Sequence, residues 1–220
     1  NISVSDRRRL AAKAFQHVAF YDSLIADYLF EDSKSEQYRD KLTNAWERVS
    51  LPRYGENPHQ SAAIYKHANE KGGIVNATKL HGIDMSYLNY YDADAAWSAV
   101  TSFHQPCVAI VKHSNPCGLA ISQDQTEAYK RAFSGDPVSA FGGIVGFNTK
   151  VSENTAKAME GIFLDVIVAP SYETRALDIL TKRKKTRILQ VHPDTDSPIM
   201  IRSVSGGVLL QESDLNDDKP

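Results

Sequence analysis

The sequence predicts an α/β protein, with a mostly parallel sheet covered by helices on both faces. Three observations lead there. Cys107-Val-Ala-Ile-Val111 and Val166-Ile-Val-Ala169 are apolar at every position, as strands buried between two layers are. Amphipathic segments with helical spacing lie between such runs. Strand and helix then alternate along the chain, the pattern that parallel strands joined by crossovers produce. Composition agrees: of 220 residues, 42% are hydrophobic and 24% charged, an ordinary balance for a globular chain that buries one core.

Ser3 and Asp6 stand at capping-box spacing, and Leu10, Ala14, Val18, Tyr21, Ile25 and Tyr28 follow three or four residues apart. One long amphipathic helix therefore opens the chain, with Arg7, Arg8, Lys13, Asp22 and Asp27 on its other face. The polar stretch 31–40 reads as a linker, so residues 1–40 form a connecting helix and linker left from a preceding domain, and residues 41–220 the α/β unit. The chain begins at Asn1 and stops at Pro220 after a strand-like run, so both ends are expected to be cut.

Asp92 is placed to cap a helix whose inner face is Ala96, Trp97, Val100 and Phe103, and Gln105-Pro106 ends it. The buried strand 107–111 comes next. A helix over 126–133 has Gly135 to stop it, 144–147 is a strand, and Ser152 opens another helix. The strand 166–169 closes at Pro170. A helix through Ala176, Ile179 and Leu180 runs into Lys182 to Lys185, four cations that oppose the helix dipole and stay solvated, and 187–191 is a further strand.

Charge and motif content exclude several classes. The formal net charge of -2 gives no reason to expect nucleic acid or an anionic membrane as partner. No apolar stretch reaches the length of a membrane span, and the start lacks a signal-peptide pattern. Two cysteines build no disulfide framework, so a cytoplasmic setting is expected. Walker A, dinucleotide-fingerprint, nucleophile-elbow and HExxH sequences do not occur. Cys107 and Cys117 lack C-x-x-C spacing, so no metal site is expected.

The chemistry is expected in the loop Lys112-His113-Ser114-Asn115-Pro116-Cys117-Gly118, directly after a buried strand. In open α/β sheets, ligand sites gather beyond the carboxyl ends of strands. Lys112 is an obligate donor and His113 accepts a proton near neutral pH. Pro116 and Gly118 suggest an unusual backbone course. As an isolated pair, a solvated lysine beside a packing histidine is the commoner arrangement. Three further polar clusters count against it. Arg53-Tyr54-Gly55-Glu56-Asn57-Pro58-His59-Gln60 carries a guanidinium, the shape suited to phosphate or carboxylate. Tyr87, Asn89 and Asp92 lie together just before a helix, and the glycines of Ser139-Ala140-Phe141-Gly142-Gly143 would let a planar ligand approach the backbone.

Five segments in order, Arg53 to Gln60, Ser86-Tyr-Leu-Asn-Tyr-Tyr-Asp-Ala93, Lys112 to Gly118, Asp136-Pro-Val-Ser-Ala-Phe-Gly-Gly143 and Val166-Ile-Val-Ala-Pro170, resemble the bifunctional purine biosynthesis proteins. Those proteins join an IMP cyclohydrolase domain to an AICAR transformylase domain. The resemblance implies a formyltransferase reaction in which 10-formyltetrahydrofolate donates its formyl group to the 5-amino group of AICAR, giving FAICAR. It implies His113 as general base and Lys112 as stabiliser of the formyl oxygen. It also implies AICAR contacts at Arg53, Tyr54, Asn89, Gly142 and Asp165, and a homodimer for the complete enzyme. By the same resemblance, 41–220 is the first of two cytidine-deaminase-like subdomains, incomplete at its C-terminus, with folate contacts supplied by the second. Leu88 stands where many relatives have Asn, a departure next to Asn89. Two alternatives stay open. A zinc-dependent deaminase would need a His or Cys ligand, a C-x-x-C pair and a catalytic Glu. A non-catalytic nucleotide-binding or assembly fragment would bind without turnover.

Overall fold

A strand without a polar face must be covered on both sides and hydrogen-bonded along both edges. Residues 107–111 meet that condition, since none exceeds 1% exposure. The computed structural model describes residues 2–31, 38–192 and 199–214; positions 32–37 of the expected linker and 215–220 lie outside the described residues. In chain order the elements are α1 (Val4–Glu31), β1 (Trp46–Ser50), β2 (Ile64–His67), a 3-10 turn (Ile74–Asn76), β3 (Thr78–His81), α2 (Tyr87–Thr101), β4 (Cys107–Lys112) and β5 (Asn115–Ile121). They continue with α3 (Gln125–Gly135), α4 (Pro137–Ala140), β6 (Ile144–Phe147), α5 (Glu153–Ala158), β7 (Val166–Ala169), α6 (Thr174–Leu180), β8 (Arg187–Gln190), β9 (Ile199–Val204) and β10 (Gly207–Glu212). Contacts group the chain into two units, Asn1–Glu70 with Asp84–Tyr91, and Lys71–Ile83 with Asp92–Pro220.

In the first unit α1 starts as its capping box requires. Ser3 Oγ accepts from Asp6 N at 3.0 Å and donates to the Asp6 carboxylate at 2.7 Å. β1 and β2 form an antiparallel hairpin, with Trp46 edge-on to His67.

The second unit holds a six-stranded sheet in the order β3-β8-β7-β6-β4-β5. The sheet is mixed, which corrects the mostly parallel arrangement expected. β6, β7 and β8 are parallel, but β4 runs antiparallel to both β5 and β6, and β3 antiparallel to β8. The reason lies in the connection after β4. Lys112 pairs with Asn115, so only two residues separate the strands and the chain doubles straight back. A turn of that length makes a hairpin; a parallel partner would need a crossover.

The expected loop 112–118 is therefore a two-residue turn followed by a strand. Pro116 is accommodated because β5 lies at the sheet edge, where a missing N–H costs no ladder bond. Ile110 pairs with Gly118 and Val111 with Pro116, so Cys117 is the extra residue of a bulge.

Helices cover both faces. Ala128, Tyr129 and Ala132 of α3, Ala156 of α5, and Ala176 and Leu180 of α6 join Val108, Ile110, Val145, Phe147 and Ile167 in one core cluster. Gly146 projects to the opposite face from Val145 and Phe147, and there a Cβ would come within 2.8 Å of the Ala96 carbonyl of α2. α2 buries Ala93, Ala96, Trp97 and Val100, whereas Phe103 falls beyond its end and is 37% exposed. Asp92 is not its cap. The helix begins at Tyr87, where Ser86 Oγ accepts from Asn89 N and Asn89 Oδ1 accepts from Ser86 N. α3 is capped by Asp124, which accepts from Thr126 N and Glu127 N.

The basic run is also corrected in part. α6 ends at Leu180, and Arg183 is half-buried, donating to the Ile162 carbonyl at 2.6 Å and to the Met159 carbonyl. Burial lowers its pKa, so this residue is a structural donor to the 159–162 turn rather than a solvated cation.

Gly118 keeps ordinary backbone geometry, and its missing side chain is what matters: a Cβ there would sit 1.9 Å from the Ala132 carbonyl. Backbone cannot move aside as a flexible side chain can. Gly118→Ala is expected to destabilise the protein by at least about 1–3 kcal/mol through forced separation of β5 and α3. Gly207→Ala, with nothing within 4 Å of the added Cβ, serves as the control. Urea midpoints measure both, and equal midpoints would count against the close-approach role.

Candidate active site at the tip of the β4–β5 hairpin

Because β4 is antiparallel to β6, its carboxyl end lies beside the amino ends of the three parallel strands. Val111 pairs with Ile144, Ile144 with Val166, and Val166 with Arg187. Residues at or just outside these positions form a row across one end of the sheet: Lys112, Gly142, Asp165 and Arg187. Lys112 follows the carboxyl end of β4, but that strand is antiparallel to both its neighbours, and β6, β7 and β8 present their amino ends here.

Hydrogen bonds tie the row together. Lys112 Nζ donates to the Phe141 carbonyl at 3.0 Å. Gly142 N donates to Phe163 O at 2.8 Å, and Asp165 N to Gly143 O at 2.9 Å. Gly142 has φ 72°, a conformation glycine adopts without penalty, and this turns the chain from α4 into β6. Gly143 fits where a Cβ would be 3.0 Å from the Val111 carbonyl. Phe141 and Phe163 pack at 5.5 Å between ring centroids. Asp165 pairs with Arg187 at 2.6 Å, the arginine side chain being 9% exposed. The sequence marked Arg187 only as the start of a strand; its partnership with Asp165 depends on strand order.

His113 and Ser114 form the turn, with φ of 52° and 60°. Two successive left-handed residues in a two-residue hairpin loop make a type I′ turn, which glycine and asparagine favour. Here the strain is met by Asp92. Its carboxylate accepts from His113 N at 3.1 Å, from Ser114 N at 2.8 Å and from Ser114 Oγ at 3.2 Å. Asn115 Nδ2 adds a bond to His113 O at 2.8 Å. Left-handed backbone costs roughly 1–2 kcal/mol per residue. Hydrogen bonds to a charged acceptor contribute about 1.5–3 kcal/mol each. The clasp is thus large enough to hold the turn. It leaves the His113 side chain exposed, at the end of a rigid strand.

Electrostatics around Lys112 are asymmetric. Asp136 caps α4 by accepting from Val138 N and Ser139 N, and hydrogen bonds from Ser139 hold its pKa below the ordinary value, with Lys112 adding to the effect. Cys117 is pushed up by burial and then by Asp136, with Lys112 opposing; burial alone raises Cys107 to about 11. Burial thus favours the thiol form of both cysteines over the nucleophilic thiolate. Among the described residues, no group of three or more His, Cys, Asp or Glu side chains could hold a metal ion.

The remaining expected residues belong to the other unit. Arg53 is exposed and Tyr54 half-buried, ahead of a turn closed by Gly55 N to Gln60 O at 2.8 Å and Asn57 N to Gln60 Oε1 at 2.8 Å. Asn89 is 6% exposed, with Oδ1 engaged in the cap of α2.

A family profile described as AICARFT/IMPCHase bienzyme matches residues 1–220. The chain belongs to that family. It is 44% identical over 217 residues to the "Bifunctional purine biosynthesis protein PurH" of Halalkalibacterium halodurans, covering 97% of this chain and 42% of that protein. The protein of the same name from Mycobacterium marinum is 43% identical over 220 residues, covering 98% of this chain and 42% of the relative. That of Mycobacterium ulcerans is 44% identical over 218 residues, again covering 42% of its length. The chain thus spans less than half the length of these bienzyme relatives.

Asp136 makes a pH dependence predictable. A lowered pKa means the folded protein favours the charged form, so the cap's contribution is complete above the ordinary value of 3.8. It is lost as pH falls through the lowered value. Asp136→Asn is therefore expected to flatten the acid limb of a stability–pH profile by lowering stability near neutrality, where the charged cap contributes in full, more than in acid, where it does not. Chemical denaturation at a series of pH values tests this; an unchanged acid limb would remove Asp136 from the account.

Proposed function

We propose that the chain supplies the amine-activating side of AICAR formyl transfer, within a phosphoribosylaminoimidazolecarboxamide formyltransferase paired with IMP cyclohydrolase. The observation that carries this reading is the adjacency of Lys112 and His113 at a clasped hairpin tip, in one row with Gly142 and Asp165. The 5-amino group of AICAR is conjugated with a carboxamide-bearing ring and is a weak nucleophile. His113 takes its proton as the nitrogen adds to the formyl carbon of 10-formyltetrahydrofolate. Lys112 offers a fixed ammonium to the oxyanion that develops on the formyl oxygen. Cleavage of the bond between that carbon and the folate nitrogen, with return of the proton to that nitrogen, then yields FAICAR and tetrahydrofolate.

On this reading Arg53, Tyr54, Asn89, Gly142 and Asp165 contact AICAR, and residues 41–220 are the first cytidine-deaminase-like subdomain of the transformylase. Asp165, held by Arg187, has one carboxylate oxygen committed to the ion pair at 2.6 Å. A second subdomain would hold the folate, the complete enzyme would be a homodimer, and its setting cytoplasmic. No described helix is long and apolar enough to cross a membrane.

In the intact protein, His113→Ala is expected to reduce formyl transfer about 10²–10⁴-fold while AICAR binding stays comparable. Near-normal turnover would refute the base role. Arg53→Lys should weaken AICAR binding, since a point charge cannot reproduce a forked contact. Isothermal titration reads this directly, and unchanged affinity would oppose it. The 220-residue chain by itself is expected to transfer formyl poorly, because positioning both reactants accounts for roughly 7–11 kcal/mol of barrier lowering. Steady-state assays of the chain alone and with the C-terminal portion of the bienzyme added separate these outcomes. Stoichiometric zinc in the purified chain would favour the deaminase reading instead.

A further inference from the structure

We propose that Asp92 is a positioning residue for His113, acting through the backbone of the hairpin turn. The inference rests on the formyl-transfer reading only for its catalytic consequence; the structural part stands on the contacts themselves. Asp92 lies in α2, and its carboxylate spans the two adjacent amides of the turn, one oxygen on His113 N and the other on Ser114 N. That oxygen also accepts from Ser114 Oγ. Both anchored residues have positive φ and neither is glycine. Without the carboxylate, a His-Ser pair has no local preference for this turn. The imidazole would then lose the backbone direction that carries it.

The helix that delivers Asp92 is itself fixed in depth. Gly146 lets the Ala96 backbone settle onto β6, and Ala93, next to Asp92, is fully buried. The carboxylate is thus presented from a packed helix to a turn on the neighbouring part of the same unit, a fixed reference for the reacting side chain. Its effect on the imidazole passes through the peptide groups of residues 113 and 114.

The test compares Asp92→Asn with the double variant Asp92→Asn, Ser114→Gly in the intact protein. Asparagine keeps the shape but turns an NH₂ group toward one of the two amides it must accept from. We expect kcat to fall by about 10–100-fold, the scale for a misplacement near 1 Å, with KM for AICAR nearly unchanged. Glycine at position 114 adopts positive φ without cost, so the double variant should recover most of kcat. Recovery is the decisive readout, because a carboxylate needed merely for stability would not be replaced by a glycine in the turn. Wild-type kcat in Asp92→Asn, or a loss that Ser114→Gly does not restore, would overturn the proposal. In parallel, amide hydrogen exchange at His113 and Ser114 in the 220-residue chain should accelerate at least about tenfold in Asp92→Asn. Unchanged exchange also overturns the proposal, whatever the enzyme assay gives. Failure of the unsubstituted protein to transfer formyl, with accelerated exchange in the variant, would instead sink the formyl-transfer reading and leave Asp92 as the holder of the turn.

Discussion

The direction of β4 governs the position of everything chemical in the second unit. Residues 107–111 are buried on both faces and must be paired along both edges, so the strand belongs in the sheet interior. Running antiparallel to β6, it emerges at the end where β6, β7 and β8 begin. Were it parallel, Lys112 would leave the sheet at the opposite end from Gly142 and Asp165. The same reversal allows β5 to follow after two residues, which leaves His113 and Ser114 no conformation other than a tight turn.

Close backbone approach supports that arrangement from both faces. At Gly118 a side chain would meet the Ala132 carbonyl, and at Gly146 the Ala96 carbonyl. Gly135, the last residue of α3, lies against Cys117 and Gly118 in the same way, where a Cβ would be 3.0 Å from the Cys117 carbonyl. α3 and α2 therefore press onto opposite faces of the sheet at distances that side chains would not permit. Since α2 carries Asp92, packing depth on one face sets the geometry of the hairpin tip. Close packing transmits position here as a rigid solid would, because its backbone contacts have no soft component.

Charge then completes the local design. The Lys112 ammonium is anchored at the Phe141 carbonyl beside a turn made by Gly142 and Gly143, with the Asp136 cap close enough to feel its charge. One carboxylate, Asp92, stabilises backbone; another, Asp165, is fixed by a nearly buried arginine. Each of these charged groups has a defined partner, which fixes its position.

The elements most legible in the sequence were those specified by local pattern. The capping box of α1, the buried runs of β4 and β7, and the inner positions Ala96, Trp97 and Val100 of α2 depend on neighbours a few residues away, and each appeared where its pattern placed it, whereas Phe103 fell beyond the end of α2. The five-segment resemblance likewise carried the family, because motif order survives without coordinates. Other features were decided only by tertiary structure. Burial of both faces says nothing about strand direction, so the mixed sheet could not be read from apolar runs. Asp92 looked like a helix cap because an acidic residue before an apolar periodic run has that signature; Ser86 and Asn89 hold the cap, and the carboxylate bonds residues more than twenty positions away. Gly118 looked like a turn residue and proved to be a point of contact with α3, and Arg187 gained its role only when β8 was laid beside β7. Sequence by itself determined the local elements and the place of Lys112 and His113 after a buried strand; the pairing of strands determined which residues lie beside them, because such contacts join residues that no local pattern connects.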